Sequence, residues 1–155
     1  MIWRAVILAL AFVFAALPAN ANEIALTVKG EVQRELTLSI DDLKQMPQTK
    51  VSVTYQSRNG EEAGAFSGVA LWFLLEQAEI SDDGRKSSLL RRTITITGRD
   101  GYSIVIAAGE IAPDFEGKSV ILALPKNGED GLRLIVPGDK RGGRSVHDVV
   151  SIDVR

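Results

Sequence analysis

The chain of 155 residues has no cysteine and one histidine, His147. Without thiols there is no disulfide framework, no zinc–thiolate or iron–sulfur site and no thiol nucleophile. A single imidazole excludes a multi-histidine metal centre. Neither sign of charge dominates: 18 basic against 20 acidic side chains give a formal net charge of -2. That balance argues against a general nucleic-acid partner, which needs a basic surface to neutralise phosphates, but it leaves room for a local basic pocket. No P-loop, G-x-G-x-x-G or G-x-S-x-G motif occurs. Asp82, Asp83, Asp114, Glu116, Glu129 and Asp130 are scattered, with neither calcium-loop spacing nor an acid/base pair.

One long apolar run is present, and only near the start. Arg4 precedes the 13 uncharged apolar residues Ala5 to Leu17; Pro18 breaks the run and Ala19-Asn20-Ala21 follows. This is the layout of a cleaved secretory signal peptide. The rival, an uncleaved anchor, needs about 20 apolar residues. Residues 1–21 are therefore expected to be removed, leaving 22–155 as one exported domain, periplasmic and not inserted in the membrane. Those 134 residues carry 17 basic side chains (18 less Arg4) and 20 acidic ones, a net charge of -3. Apolar residues at 45% and charged residues at 25% are ordinary for a globular domain with its own core.

Ile24 to Val28 and Leu36 to Leu38 read as extended. Ser39 and Asp42 form a capping-box-like S-x-x-D, predicting a helix that Pro47 stops after about two turns. Lys50 to Ser57 alternates as a half-buried strand, and Asn59-Gly60 signals a hairpin turn. A second, largely apolar helix is expected over Val69 to Glu79, with Trp72 and Phe73 in the core. Thr93 to Thr97, Asp100-Gly101 and Tyr102 to Ile106 form the clearest hairpin. Ser119 to Leu124, Leu132 to Val136 and Val146 to Val154 complete the strands, with turn signals at Asn127-Gly128 and Asp130-Gly131. The class is α+β: mainly β, with two or three short helices.

The chemistry-bearing candidates gather near the C-terminal side. Arg133, Lys140, Arg141 and Arg144 stand within twelve residues against one acid, Asp139, among Gly138, Gly142 and Gly143. Arginine forks and accessible backbone N–H groups suit an anion or a polar heterocycle; the alternative is a solvated turn. Ser145, His147 and Asp148 do not read as a catalytic triad, because neighbours on a strand point to opposite faces.

Taken in order, several segments resemble the molybdopterin-binding domain of the sulfite oxidase family. They are Leu36-Thr37-Leu38-Ser39 with Met46-Pro47; Phe66-Ser67-Gly68-Val69-Ala70-Leu71; Asp100-Gly101-Tyr102; Leu122-Ala123; Leu132-Arg133-Leu134-Ile135-Val136-Pro137-Gly138; and Arg144-Ser145-Val146. The resemblance implies a compact, mainly-β fold holding a pterin between loops. It places Arg133, Arg144, Ser145 and the Asp100 to Tyr102 turn at the pocket and Arg58 at its mouth. An aromatic ring, Tyr55 or Tyr102, would stack on the ligand. The family's enzymes bind molybdenum through a cysteine after a T-L-Q-like strand. The matching stretch here is Thr54-Tyr55-Gln56-Ser57, so Ser57 stands at the metal-ligand position. A serine is far harder to deprotonate than a cysteine. His147 replaces a lysine of the enzymes, which weakens phosphate binding there.

Three functions compete. The first is a non-catalytic protein binding a reduced or molybdopterin-like pterin without metal. It would relay ligand state to the periplasmic domain of a membrane-bound, cyclic-di-GMP-controlling partner, as small exported relatives imply. The second is a molybdopterin-dependent oxidoreductase or its subunit, with Ser57 as ligand. The third is an interaction module with no ligand. The missing cysteine weighs against an enzyme.

Overall fold

The computed structural model describes residues 23–81, 83–126 and 131–155. The proposed signal peptide, Asp82 and the Asn127-Gly128 and Glu129-Asp130 segments lie outside the described residues. Nine strands are described: β1 Ile24–Gly30, β2 Leu36–Ser39, β3 Gln48–Ser57, β4 Gly60–Ala70, β5 Thr93–Gly98, β6 Ser103–Ala107, β7 Ile121–Ala123, β8 Arg133–Ile135 and β9 Val149–Val154. Three short helices accompany them: α1 Ile40–Gln45, α2 Leu71–Ala78 and α3 Ala108–Ile111. Single 3₁₀ turns occur at Ser88–Arg91 and Gly142–Arg144. This is the expected mainly-β α+β class.

The strands form two sheets, ordered β2-β1-β9-β5-β6 and β3-β4-β7-β8. The first is antiparallel except for β1 against β9, which run parallel. The main core lies between the two sheets and α2, built from residues such as Leu26, Val28, Leu71, Leu74, Leu75, Ile94, Ile96 and Ile152. The outer face of the smaller sheet carries a second cluster of Val53, Tyr55, Ile121, Ala123 and Ile135. Leu122 and Leu134 point the other way, into the main core. Two-sided burial explains why β7 and the Leu134-Ile135 part of β8 are apolar without alternation.

Local signals account for the ends of several elements. The Ser39 hydroxyl accepts from Asp42 N–H at 3.1 Å, and Asp42 Oδ2 accepts from Ser39 N–H at 2.8 Å. This is the predicted capping box, and α1 ends before Pro47 as expected. At the β5–β6 hairpin, Asp100 Oδ1 accepts from Tyr102 N–H at 2.9 Å and Gly101 takes φ 86°. Gly68 has a steric reason: a Cβ there would overlap the Leu122 carbonyl on the paired strand β7.

Several boundaries differ from expectation, and three of the differences have a visible cause. Helix α2 starts at Leu71 because Val69 is held in β4, paired with Gln48 on one side and Leu122 on the other. Strand β9 starts at Val149, not Val146, because Asp148 adopts φ 45°, which breaks an extended run. The β3–β4 turn has Arg58 and Asn59 between the paired Ser57 and Gly60, with Gly60 at φ 109° after the turn. A turn centred on Asn59-Gly60 would have set Tyr55 opposite Gly64; the actual register sets it opposite Glu62.

Candidate functional site

Where β3 ends, the Gly142–Arg144 turn lies over it. Gln56 N–H donates to the Lys140 carbonyl at 3.0 Å, and Gln56 forms an isolated parallel bridge with Arg141. Between them a cavity of about 630 Å³ opens, lined by Tyr55, Gln56, Ser57, Arg58, Asn59, Glu62, Tyr102, Arg133, Arg141, Gly142, Gly143, Ser145 and His147. Seven of the nine residues expected at the site are among these. Asp100 and Arg144 are not.

Arg133 is the hub. Its Nε donates to Ser145 Oγ at 2.9 Å. Its Nη2 donates to the Tyr55 hydroxyl and to Glu62 Oε2, the latter at 3.3 Å. The guanidinium also stands 5.3 Å from the Phe66 ring centroid, a cation–π contact. The Tyr55 hydroxyl donates to Glu62 Oε2 at 3.0 Å. Hydrogen bonds from Ser57 and Tyr55, with Arg133 adding its bond and charge, hold the Glu62 carboxyl below its ordinary value. Glu62 is therefore an anion on the cavity wall.

The two tyrosines part company. Tyr55 is 7% exposed and belongs to the second core cluster. Gly142 lies against its ring so closely that a Cβ would stand 2.8 Å from Cε2. That ring is interior packing, and the expectation that it stacks on a ligand fails on this cover. Tyr102 is 50% exposed and donates its hydroxyl to the Gly143 carbonyl at 2.6 Å. It is the aromatic face available to an occupant of the cavity.

Arg144 turns from the cavity. Its Nε and Nη2 form a fork on Asp139 at 2.9 and 2.6 Å, and its Nη1 reaches Glu110 at 2.9 Å. The bond to Asp139 raises the affinity of this guanidinium for its proton. Burial pushes Glu110 up, but the Arg144 bond, the Ala107 N–H and nearby positive charge bring it below its ordinary value. Arg144 thus ties the loop to α3. Asp100 shapes the turn that carries Tyr102. Arg58 and Arg141 are exposed at the cavity, with no side-chain partner among the described residues. His147 and Ser145 both line the cavity, but neither is on a strand, so alternation does not relate them. Asp148 instead pairs with Arg99 at 2.8 Å.

Ser57 tests whether a molybdenum centre fits. Its Oγ accepts from Asn59 N–H at 3.0 Å, and it shares the cavity wall with the Glu62 carboxylate. A neighbouring anion opposes loss of the hydroxyl proton, and an alkoxide is what a metal would require. A hydroxyl so placed is a poor molybdenum ligand, so the metal does not fit this donor set.

Sequence reading did not place Glu62, Gln56 or Asn59 at the site, and named Arg141, Gly142 and Gly143 only as part of the basic loop. Glu62 was hidden by the turn: an Asn59-Gly60 turn sets Gly64 opposite Tyr55, and only the actual register brings Glu62 there.

A search of curated protein sequences finds no match. Among solved structures, the sulfane dehydrogenase SoxCD from Paracoccus pantotrophus matches with a TM-score of 0.68 at 18% identity. The match covers 86% of this chain but 38% of that one, so this chain spans well under half of that protein's length. At that identity the likeness speaks for the fold. Residues 14–155 match the family described as the oxidoreductase molybdopterin binding domain. The chain belongs to that family.

Proposed function

We propose that this chain is a non-catalytic, exported pterin-binding protein that reports ligand state to a membrane-bound signalling partner. The observation that carries the reading is Ser57. At the position where the resemblance puts a metal-binding thiolate stands a hydroxyl that accepts from Asn59 N–H, on the same cavity wall as the Glu62 carboxylate. Family membership supports a pterin-type ligand. The cavity supplies what such a ring needs: the exposed Tyr102 face, the Arg133 guanidinium, and a polar rim from Gln56, Asn59 and Ser145. Arg58 and Arg141 suit a polar or anionic tail. A ligand touching Tyr102, Gly143 or Arg141 would alter the hydrogen bonds that seat the loop, and this is the proposed route to a partner, cyclic-di-GMP control being the expected output.

A second reading, a molybdopterin oxidoreductase domain, rests on the family's description. One experiment separates the two. Protein purified from its source organism is denatured, and the released small molecules are chromatographed with fluorescence detection beside a molybdenum assay. A simple pterin without metal supports the proposal. Oxidised molybdopterin derivatives with near-stoichiometric molybdenum overturn it in favour of the enzyme.

A further inference from the structure

Glu62 is an unexpected residue to find on the wall of a site read as an anion or cofactor cradle. Its carboxylate is held in place from one side by the Tyr55 hydroxyl at 3.0 Å and by Arg133 Nη2 at 3.3 Å. Both bonds fall on Oε2. An ionised carboxylate offers about four lone-pair sites, so acceptor capacity remains after these donors are served. The side chain is 43% exposed and lines the cavity. A carboxylate fixed in this way selects for donors and against acceptors, because a second anion beside it is repelled.

The arginines fit the same picture. Glu62 largely cancels Arg133, and Asp139 and Glu110 cancel Arg144. Neither is a spare positive charge for a phosphate. The spare charges are Arg58 and Arg141, which stand in the same cavity without side-chain partners among the described residues. The cavity is therefore split between a donor-seeking spot at Glu62 and an acceptor-seeking rim.

We infer that Glu62 reads the ligand's ring, accepting the exocyclic amino and adjacent ring N–H groups of a 2-amino-4-oxopyrimidine edge in a paired, charge-assisted contact. This deepens the pterin-binding reading and rests on it. Two parallel N–H donors on a planar ring match two carboxylate oxygens as an arginine fork does. A ring with a 2-oxo group in place of the 2-amino group sets an acceptor against the anion instead.

The test compares pterin with lumazine, its 2-oxo counterpart, each in oxidised and 7,8-dihydro form, by fluorescence titration of the full-length exported protein and of Glu62→Gln. The expected result is a preference for pterin of at least about tenfold in the unaltered protein, the scale of a charge-assisted hydrogen bond. In Glu62→Gln the preference should fall to within about threefold, because the amide can donate as well as accept. The ratio is the readout, so a general weakening caused by disturbing Arg133 does not imitate the effect. If the unaltered protein binds pterin and lumazine equally, the inference is overturned without need of a variant that folds. If it prefers pterin and Glu62→Gln keeps the preference, the inference is again overturned, while the pterin-binding reading stands. If no form of either compound binds, the pterin-binding reading fails and takes the inference with it.

Discussion

The Tyr102 hydroxyl donates to the Gly143 carbonyl at 2.6 Å, joining the β5–β6 turn to the loop that roofs the cavity. Removing only that oxygen, in Tyr102→Phe, keeps the ring face and loses the tether. Trypsin should then cut after Lys140 or Arg141 several-fold faster, since the loop opens more often. Pterin affinity should weaken by about three- to tenfold, the scale of one neutral hydrogen bond. Unchanged proteolysis would show that the tether does not hold the roof.

Arg133→Ala removes the hub. Ser145, Tyr55 and Glu62 each lose a partner, and Phe66 loses its cation–π contact. Tyr55 still donates to Glu62, so the domain should fold with a lower denaturation midpoint. Affinity for pterin should fall more than about tenfold, because a charged donor is lost from the cavity. Urea denaturation and fluorescence titration of the same preparation give both numbers.

Arg144→Met leaves Asp139 and Glu110 without their shared cation. All three side chains are partly exposed, so screening limits the cost to about 1–2 kcal/mol. The pH dependence should change too. Glu110 titrates below its ordinary 4.5 in the folded protein, so its contribution is present above that value. It is lost as pH falls through the folded value. Between roughly pH 5 and pH 3 the unaltered protein should lose stability more steeply than Arg144→Met. Parallel curves from thermal melts across that range would refute the assignment.

Ser39→Ala serves as a remote control. It removes the acceptor for Asp42 N–H at the start of α1 and should cost about 1 kcal/mol. Ser39 lies outside the cavity lining, so pterin affinity should hold. A matching drop in affinity would mean that global stability, not the cavity, governs binding in these variants.

What could be read from the residues follows from how local each signal is. The capping box at Ser39 and Asp42 and the Thr93 to Ile106 hairpin rest on contacts between near neighbours, and both appear as expected. Arg133, Ser57 and Tyr102 were found through ordered segments, and the structure gathers them in one cavity. Strand β4 was harder: Glu61-Glu62-Ala63-Gly64-Ala65 has neither β-branched residues nor alternation. Its state comes from pairing with β3 along its length. Arg144 was misplaced for a related reason. A charge run shows where cations are, but not which carboxylates meet them, and Glu110 comes from 34 positions away. Tyr55 reads as a ligand-facing aromatic until Gly142, from a distant loop, is seen to cover it.

The parallel pairing of β1 with β9 carries a consequence for how the molecule comes into being. Thr27 meets Ser151 and Gly30 meets Val154, in the middle of the five-stranded sheet. During synthesis β1 and β5 emerge with nothing between them, and the strand that joins them is made after both. The larger sheet therefore stays in two halves, β2-β1 and β5-β6, until residues 149–154 arrive to close it. Such long-range closure makes folding slow relative to chains dominated by local contacts. Until those residues are made, this sheet consists of two hairpins with no strand to join them.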